Sequence, residues 1–349
     1  MGSSRLIEFD LSRGVPQTPE ALLRESGRPF VVRVQGKDPH RTRALSTLLH
    51  GNEPSGVRAL HALLREGMTP ATNLLAFVGS VGAATAPPGF AHRALPGRPD
   101  LNRCFVPPFE EGERALAGEV LDVLRSARPE ALIDIHNTTG HTPPYGVGTI
   151  VGDHQLHLVS LFAGAYVHSD LRLGTLVEAT ENDFPSVVVE CGLAGSAAAD
   201  DLARAGLARY LSAGTLAPDP VAAGKVRVTG TPIRVSVRTG ERLAFGDAPE
   251  PGADLTVRSG IDTRNFTPMR AGEIIGWLGG GGAWPLWAVG AEGRDLSREL
   301  FAARGNVLET RRDIIPIMMT TDPEIAISDC LFYVVSDCSS GGEGTRGAA

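Results

Sequence analysis

Between Pro29 and Tyr210 the sequence alternates short apolar, β-branched runs with helical segments, and that alternation confines the fold to an α/β sheet. The runs "FVVRVQG" (30–36), "ALSTLLH" (44–50), "NLLAFVGS" (73–80), "ALIDIHN" (131–137) and "FPSVVVECG" (184–192) read as strands. Between them, "EPSGVRALHALLREG" (53–67) reads as a helix with Pro54 in its first turn and Gly67 past its end. "FEEGERALAGEVLDVLRSA" (109–127), "HQLHLVSLFAGAY" (154–166) and "SAAADDLARAGLARYLSAG" (196–214) read as further helices. Strands this uniformly apolar belong in a sheet covered by helices. The expected fold class is therefore α/β, a mixed sheet flanked by helices, over a domain of residues 1–215.

The pattern changes after "LAPDPVAAGK" (216–225), which reads as a linker. Turn-separated stretches follow: "KVRVTG", "TPIRVSVRTG", "ADLTVRSG", "EIIGWLG", "WPLWAVG" and "CLFYVV". They predict a smaller, mostly β C-terminal domain over 222–338. "GGGG" (279–282) reads as a turn between strands, since a phosphate loop leads into a helix and here Trp284–Pro285 follows. Residues 339–349, "SSGGEGTRGAA", read as a disordered tail.

Charge and composition exclude some partners. The net charge is −7 and no Lys/Arg-rich run occurs, which argues against nucleic acid and against an anionic membrane. No apolar run approaches the roughly 20 residues of a membrane helix. Met1–Gly14 has no apolar stretch of the signal-peptide kind. Cys104, Cys191, Cys330 and Cys338 are scattered and form no CxxC, so a reduced, cytoplasmic setting is expected.

Three strand ends carry chemistry. His50 closes one apolar run and Glu53 stands at the start of the next helix, where loops at strand carboxyl ends form active-site crevices. His136 closes "ALIDIH", with Asp134 two residues before it on the same strand face. A His/Glu/His set is a metal-ligand set that leaves a fourth place open, and Asp134 is placed to accept a hydrogen bond from a ligand. Taken alone, a strand-end His is more often structural, and His50 with Glu53 also fits a surface or helix-start pair. Glu190 ends the Val-rich "SVVVE", where a carboxylate is costly unless it is exposed or has a job such as proton transfer. Asn102 and Arg103 stand side by side in "DLNR", and an Arg fork matches a carboxylate.

Taken together and in order, "HGNEPSG", "DLNR", "DIHNTTG" and "VVVECG" resemble the succinylglutamate desuccinylase/aspartoacylase family of zinc carboxypeptidase-like proteins, over about residues 44–192. "NFTPMRAGEIIGWL" and "WPLWAV" are similar to the C-terminal part of aspartoacylase, and "HNTTG" is nearer to aspartoacylase than to the desuccinylases. The resemblance implies a zinc carboxypeptidase-like fold and one Zn²⁺ per chain, held by His50, Glu53 and His136. It implies Glu190 as the proton shuttle and Asn102 with Arg103 as the clamp on a substrate carboxylate. It also implies an upstream Arg polarising the scissile carbonyl, for which Arg93 and Arg98 are the candidates. The 1–215 domain is then a zinc-dependent hydrolase domain, and the β domain shapes its entrance.

Two departures concern specificity. No Arg lies between Gly174 and Val189, and no Tyr follows "WPLWAV" in "GAEGRDLSREL", where aspartoacylase supplies each. Glu178, Glu181 and Asp183 lie in the first of these stretches, and any that faced the substrate would disfavour an acidic side chain. The expected reaction is hydrolysis of an N-acyl amino acid or a similar small amide. The partner is that small molecule, with homo-oligomers left open. A carboxypeptidase acting on short peptides and a non-catalytic metal-binding protein are the rival readings. A serine hydrolase is disfavoured because GxSxG is absent.

Overall fold

The computed structural model describes residues 4–281, 283–290 and 292–335. The tail expected over 339–349 lies outside the described residues. The described chain forms two units: one runs through Tyr166 and resumes at Arg172–Arg227, and the other holds Val167–Leu171 and the chain from Val228 onward.

The first unit is built on a mixed sheet. Its strands are β1 (Ile7–Glu8), β2 (Phe30–Val34), β3 (Asp38–Thr47), β4 (Thr72–Val78), β5 (Leu132–Thr138), β6 (Tyr145–Gly148) and β8 (Ser186–Leu193), while β7 (Ala165–His168) and β9 (Arg227–Thr229) each begin in this unit and end in the other. The strands wholly within this unit lie in the order β1-β2-β4-β3-β5-β8-β6. The central run β4-β3-β5-β8 is parallel, and β2 and β6 flank it antiparallel. Parallel neighbours bring the carboxyl ends of β3, β5 and β8 to one edge, so residues following these strands converge there.

Helices cover the sheet: α1 (Pro19–Ser26), α2 (Ser55–Arg65), α3 (Val81–Thr85), α4 (Gly112–Ala127), α5 (Asp153–Ser160), α6 (Leu176–Thr180) and α7 (Ala197–Ser212). α4 lays Leu116, Ala117, Val120, Leu121 and Leu124 into a core with Ala44 of β3 and Leu132 of β5. α2 sits on the other face, against Thr47 and Ile135, three residues further along the same strands. The period-2 alternation of a strand turns residues three apart to opposite faces. α2 approaches closely because Gly56 has no side chain. A Cβ there would lie 2.0 Å from Thr47 Oγ1 and 3.0 Å from Ile135 Cβ. Gly56→Ala should therefore lower stability by about 1–3 kcal/mol through overpacking, read as a drop in denaturation midpoint. An unchanged midpoint would show that α2 is not packed this way.

The helix expected over 154–166 ends early. α5 stops at Ser160, and the chain resumes as β7 at Ala165. Gly164 falls between them, and β7 is too short for its periodicity to stand out. α2 likewise starts at Ser55, so Glu53 belongs to the preceding turn.

The second unit holds two sheets. One orders β14 (Leu286–Val289), β10 (Ile233–Val237), β18 (Phe332–Val335) and β17 (Ile315–Ile317). The other orders β11 (Leu243–Gly246), β12 (Leu255–Arg258), β13 (Ile274–Leu278), β16 (Val307–Thr310) and β15 (Phe301–Arg304). Val235, Leu255, Val257, Ile275, Leu286, Leu308 and Phe332 form its core. Among the described residues no helix is long and apolar enough to cross a membrane.

Candidate metal centre and catalytic carboxylate

His50 sits just past β3, beyond a turn in which Leu48 adopts a left-handed φ of 58°. Such a conformation is unusual for a branched side chain and marks a turn the surroundings enforce. Gly51 N–H then donates to the Arg93 carbonyl at 2.9 Å. A Cβ on Gly51 would meet Ala83 Cβ and the His92 carbonyl at 2.6 Å, so only glycine lets the 92–93 segment rest on this turn.

At the strand edge three buried side chains meet. His50 Nδ1 lies 2.8 Å from Glu53 Oε1, and His136 Nδ1 lies 2.7 Å from Glu53 Oε2. The two imidazoles stand edge to face with ring centroids 5.0 Å apart. One ligand atom from each of the three residues lies within 4.8 Å of the others, so the group could hold a metal ion. The donor chemistry fits: two imidazole nitrogens and one carboxylate form a common set for zinc. The far side of the His136 ring is hydrogen-bonded and that of the His50 ring faces a carboxylate, the kind of support that orients a ligating histidine. His136 Nε2 is 2.9 Å from Asp134 Oδ2, and His50 Nε2 is 3.1 Å from Asp100 Oδ1.

The charges are mutually arranged. Burial works against an ionised Glu53, but His50 and His136 hold its carboxyl well below the usual range. Burial likewise opposes a charged His136, and Asp134 and Glu53 raise it well above an ordinary imidazole. Asp100 is also held low despite burial, by His50, Arg93 and Arg103. Glu190 differs. It lies opposite His136 in the β5–β8 register, and Oε2 has no hydrogen-bond partner among the described residues. Burial pushes its carboxyl up to about 8, with Glu53 and Asp134 adding to the push and His136 and Arg93 opposing it. A buried carboxyl with an unengaged oxygen beside a candidate metal centre suits proton transfer.

Of the two candidate arginines, the structure brings one to the cluster. Arg93 donates from Nε and Nη2 to Asp100 Oδ2 at 3.1 and 2.9 Å, and its Nη1 is 3.7 Å from Glu53 Oε1. Arg98 is directed elsewhere. A turn through Gly97 (φ 74°) carries its exposed side chain toward Glu113, 3.6 Å away. Asn102 is buried, and its Oδ1 accepts from Leu176 N at 3.0 Å, so its carbonyl holds the start of α6 while Nδ2 is its remaining donor group. Arg103 is half-buried, with Nη1 donating to the Asn102 carbonyl at 3.0 Å.

The three acids before β8 have local duties. Glu178 accepts from the Leu173 and Gly174 amides, Glu181 pairs with Arg172, and Asp183 pairs with Arg125. The sequence reading missed Asp100 and Asn137. Both stood inside quoted motifs, "DLNR" and "HNTTG", but their partners are remote in sequence. Asp100 answers His50 and Arg93, and Asn137 answers Ser55 and Gly192.

No protein-family model and no curated protein matches the chain by sequence. Solved structures do match it. A succinylglutamate desuccinylase/aspartoacylase from Rhodobacter sphaeroides is 16% identical, covering 88% of each chain at a TM-score of 0.53. A succinylglutamate desuccinylase from Vibrio parahaemolyticus is 17% identical, covering 87% of this chain and 85% of its own at a TM-score of 0.56. Murine aminoacylase 3 is 20% identical, covering 86% and 96% at a TM-score of 0.51. The chain has the succinylglutamate desuccinylase/aspartoacylase fold. The expected α/β architecture with additional β sheets is this fold. Within it, the edge formed by β3, β5 and β8 carries the His50–Glu53–His136 group and Glu190.

Proposed function

We propose that this protein is a zinc-dependent hydrolase that cleaves the amide bond of an N-acyl amino acid or a similar small amide. The observation that carries the reading is the buried His50–Glu53–His136 group with Glu190 on the adjoining strand, one of its oxygens unengaged among the described residues. His50, Glu53 and His136 would hold the ion, with Asp134 and Asp100 orienting the two rings. When bound, zinc supplies Lewis acidity for an amide carbonyl and for water. Glu190 takes the proton of the attacking water and returns it to the leaving nitrogen as the C–N bond breaks. Arg93 would stabilise the carbonyl oxygen as negative charge develops, a role supported by its position 3.7 Å from Glu53 and its hydrogen bonds to Asp100. Arg103 binds the substrate carboxylate, with the Asn102 amide as the second donor.

The geometry revises the specificity argument. Glu178, Glu181 and Asp183 are occupied within the fold, so they give no reason to favour a basic substrate. The segment Gly174–Val189 still offers no Arg to a second carboxylate. N-acetyl amino acids with neutral side chains should therefore be turned over better than N-acetyl-aspartate or N-succinyl-glutamate. The test is kcat/KM across that panel with the zinc-loaded protein. A tenfold or greater advantage for the acidic substrates, about 1.4 kcal/mol, would show that a cation is supplied by another segment. No turnover of any N-acyl amino acid would overturn the proposed activity.

A further inference from the structure

Resting on the hydrolase reading above, we propose that Asn137 is a positioning residue that locks the strand end carrying Glu190 to the turn carrying Glu53. Asn137 follows His136 in β5, so strand alternation turns it to the opposite face of the sheet, toward α2. It is 3% exposed. Its Oδ1 accepts from Ser55 N at 3.0 Å. Ser55 is the first residue of α2, and Pro54 before it provides no side-chain cap. Asn137 thus supplies, from another strand, a partner for one of the amides that a helix start leaves unpaired. Its Nδ2 donates to Ser55 Oγ at 3.0 Å and to the Gly192 carbonyl at 3.1 Å. Its backbone N–H points to Glu53 Oε2 at 3.2 Å.

The contact with Gly192 matters because of where that residue lies. The β5–β8 register runs His136 against Glu190, then Thr138 against Leu193. β8 therefore carries one more residue than β5 immediately after Glu190, and Gly192 absorbs it at φ 104°. Such a bulge re-aims the side chains beside it and leaves a backbone group in need of a partner. Asn137 is that partner. The pattern admits only an amide. An aspartate would set an oxygen against the Gly192 carbonyl, and a leucine would leave both the Ser55 N–H and the Gly192 carbonyl unpaired. The tie extends outward: Ser55 Oγ donates to Asp200 Oδ1 at 2.6 Å, and Arg58 Nη1 donates to Asp200 Oδ2 at 2.9 Å. Glu53 and Glu190 come from segments far apart in sequence, so a fixed distance between them needs such a link.

The test compares the wild type with Asn137→Ala, Ser55→Ala and Gly192→Ala. Zinc content, kcat, KM and the visible absorption of the cobalt(II)-substituted protein are measured for each. Asn137→Ala should lower kcat by about 10²-fold with KM within about threefold, the effect of misplacing reacting groups by an ångström. Its cobalt bands should shift, because the turn carrying Glu53 is no longer held. Ser55→Ala keeps the bonds to Ser55 N and Gly192 O and should lose about fivefold or less. Wild-type kcat and wild-type cobalt bands in Asn137→Ala would overturn the inference, even if that variant melts earlier. If Asn137→Ala does not fold, Gly192→Ala strains the same bulge from the other strand. A fall in kcat at constant KM there supports the inference, and an unchanged kcat overturns it. If the wild type hydrolyses no N-acyl amino acid, the hydrolase reading fails. The cobalt bands then decide the positioning role alone, shifted bands supporting it and unshifted bands overturning it.

Discussion

His50→Ala or His136→Ala should reduce bound zinc from about one ion per chain to near none and take hydrolysis to background. The expectation follows from how few donors the site has. Among the described residues, His50, Glu53 and His136 form the group that could hold a metal ion, with one ligand atom from each within 4.8 Å of the others. Removing one leaves a single imidazole and a carboxylate. It also frees a charge: Glu53 is held ionised in a buried site by the two imidazoles, and loss of either leaves that carboxylate less compensated. The two variants are not equivalent in their surroundings. His136→Ala strands Asp134, which is fully buried and faces its ring, whereas His50→Ala leaves Asp100 still paired with Arg93. His136→Ala should accordingly be the less stable of the two. Metal analysis after dialysis, paired with thermal melts, checks both points. Undiminished zinc in both variants would remove these residues from the metal site.

The strand ends were legible in the sequence because parallel strands are uniform in composition. An apolar run such as "ALIDI" or "SVVV" that ends in His or Glu stands out against its own background. The convergence of those ends follows from the parallel order β3-β5-β8; alternation of strands and helices implies parallel neighbours but not their order. The residues that orient the ligands were not legible. Asp100 meets His50 across fifty positions of sequence, and no periodicity connects a loop acid to a strand-end imidazole. The choice between Arg93 and Arg98 depended on a turn at Gly97, which a count of spacing does not resolve. β6 and β7 escaped for a different reason. "YGVG" and "AYVH" are four residues each, too short for alternation to register, and Gly146 is required there because a Cβ would lie 2.3 Å from Val159 Cγ2. The acids at Glu178, Glu181 and Asp183 looked like a charged approach to the site. Each instead caps a loop or pairs with an arginine, as acids flanking short helices often do.

Glu190→Gln should separate holding the metal from using it. The substitution keeps shape and hydrogen-bonding size but cannot accept a proton. Glu190 lies opposite His136 on the neighbouring strand and is not a member of the His50–Glu53–His136 group, so zinc should stay at about one per chain. Turnover should fall by about 10²–10⁴-fold, the usual worth of a positioned acid–base group. Replacing a buried carboxyl that burial already pushes toward its neutral form should cost little stability, so the melting temperature should hold or rise. The decisive measurement is zinc content and kcat on an N-acyl amino acid from one and the same preparation of this variant, beside the wild type. Full zinc occupancy with kcat reduced at least about a hundredfold is the predicted result. Full occupancy with wild-type kcat would contradict the account, because the proton would then be moving through another group.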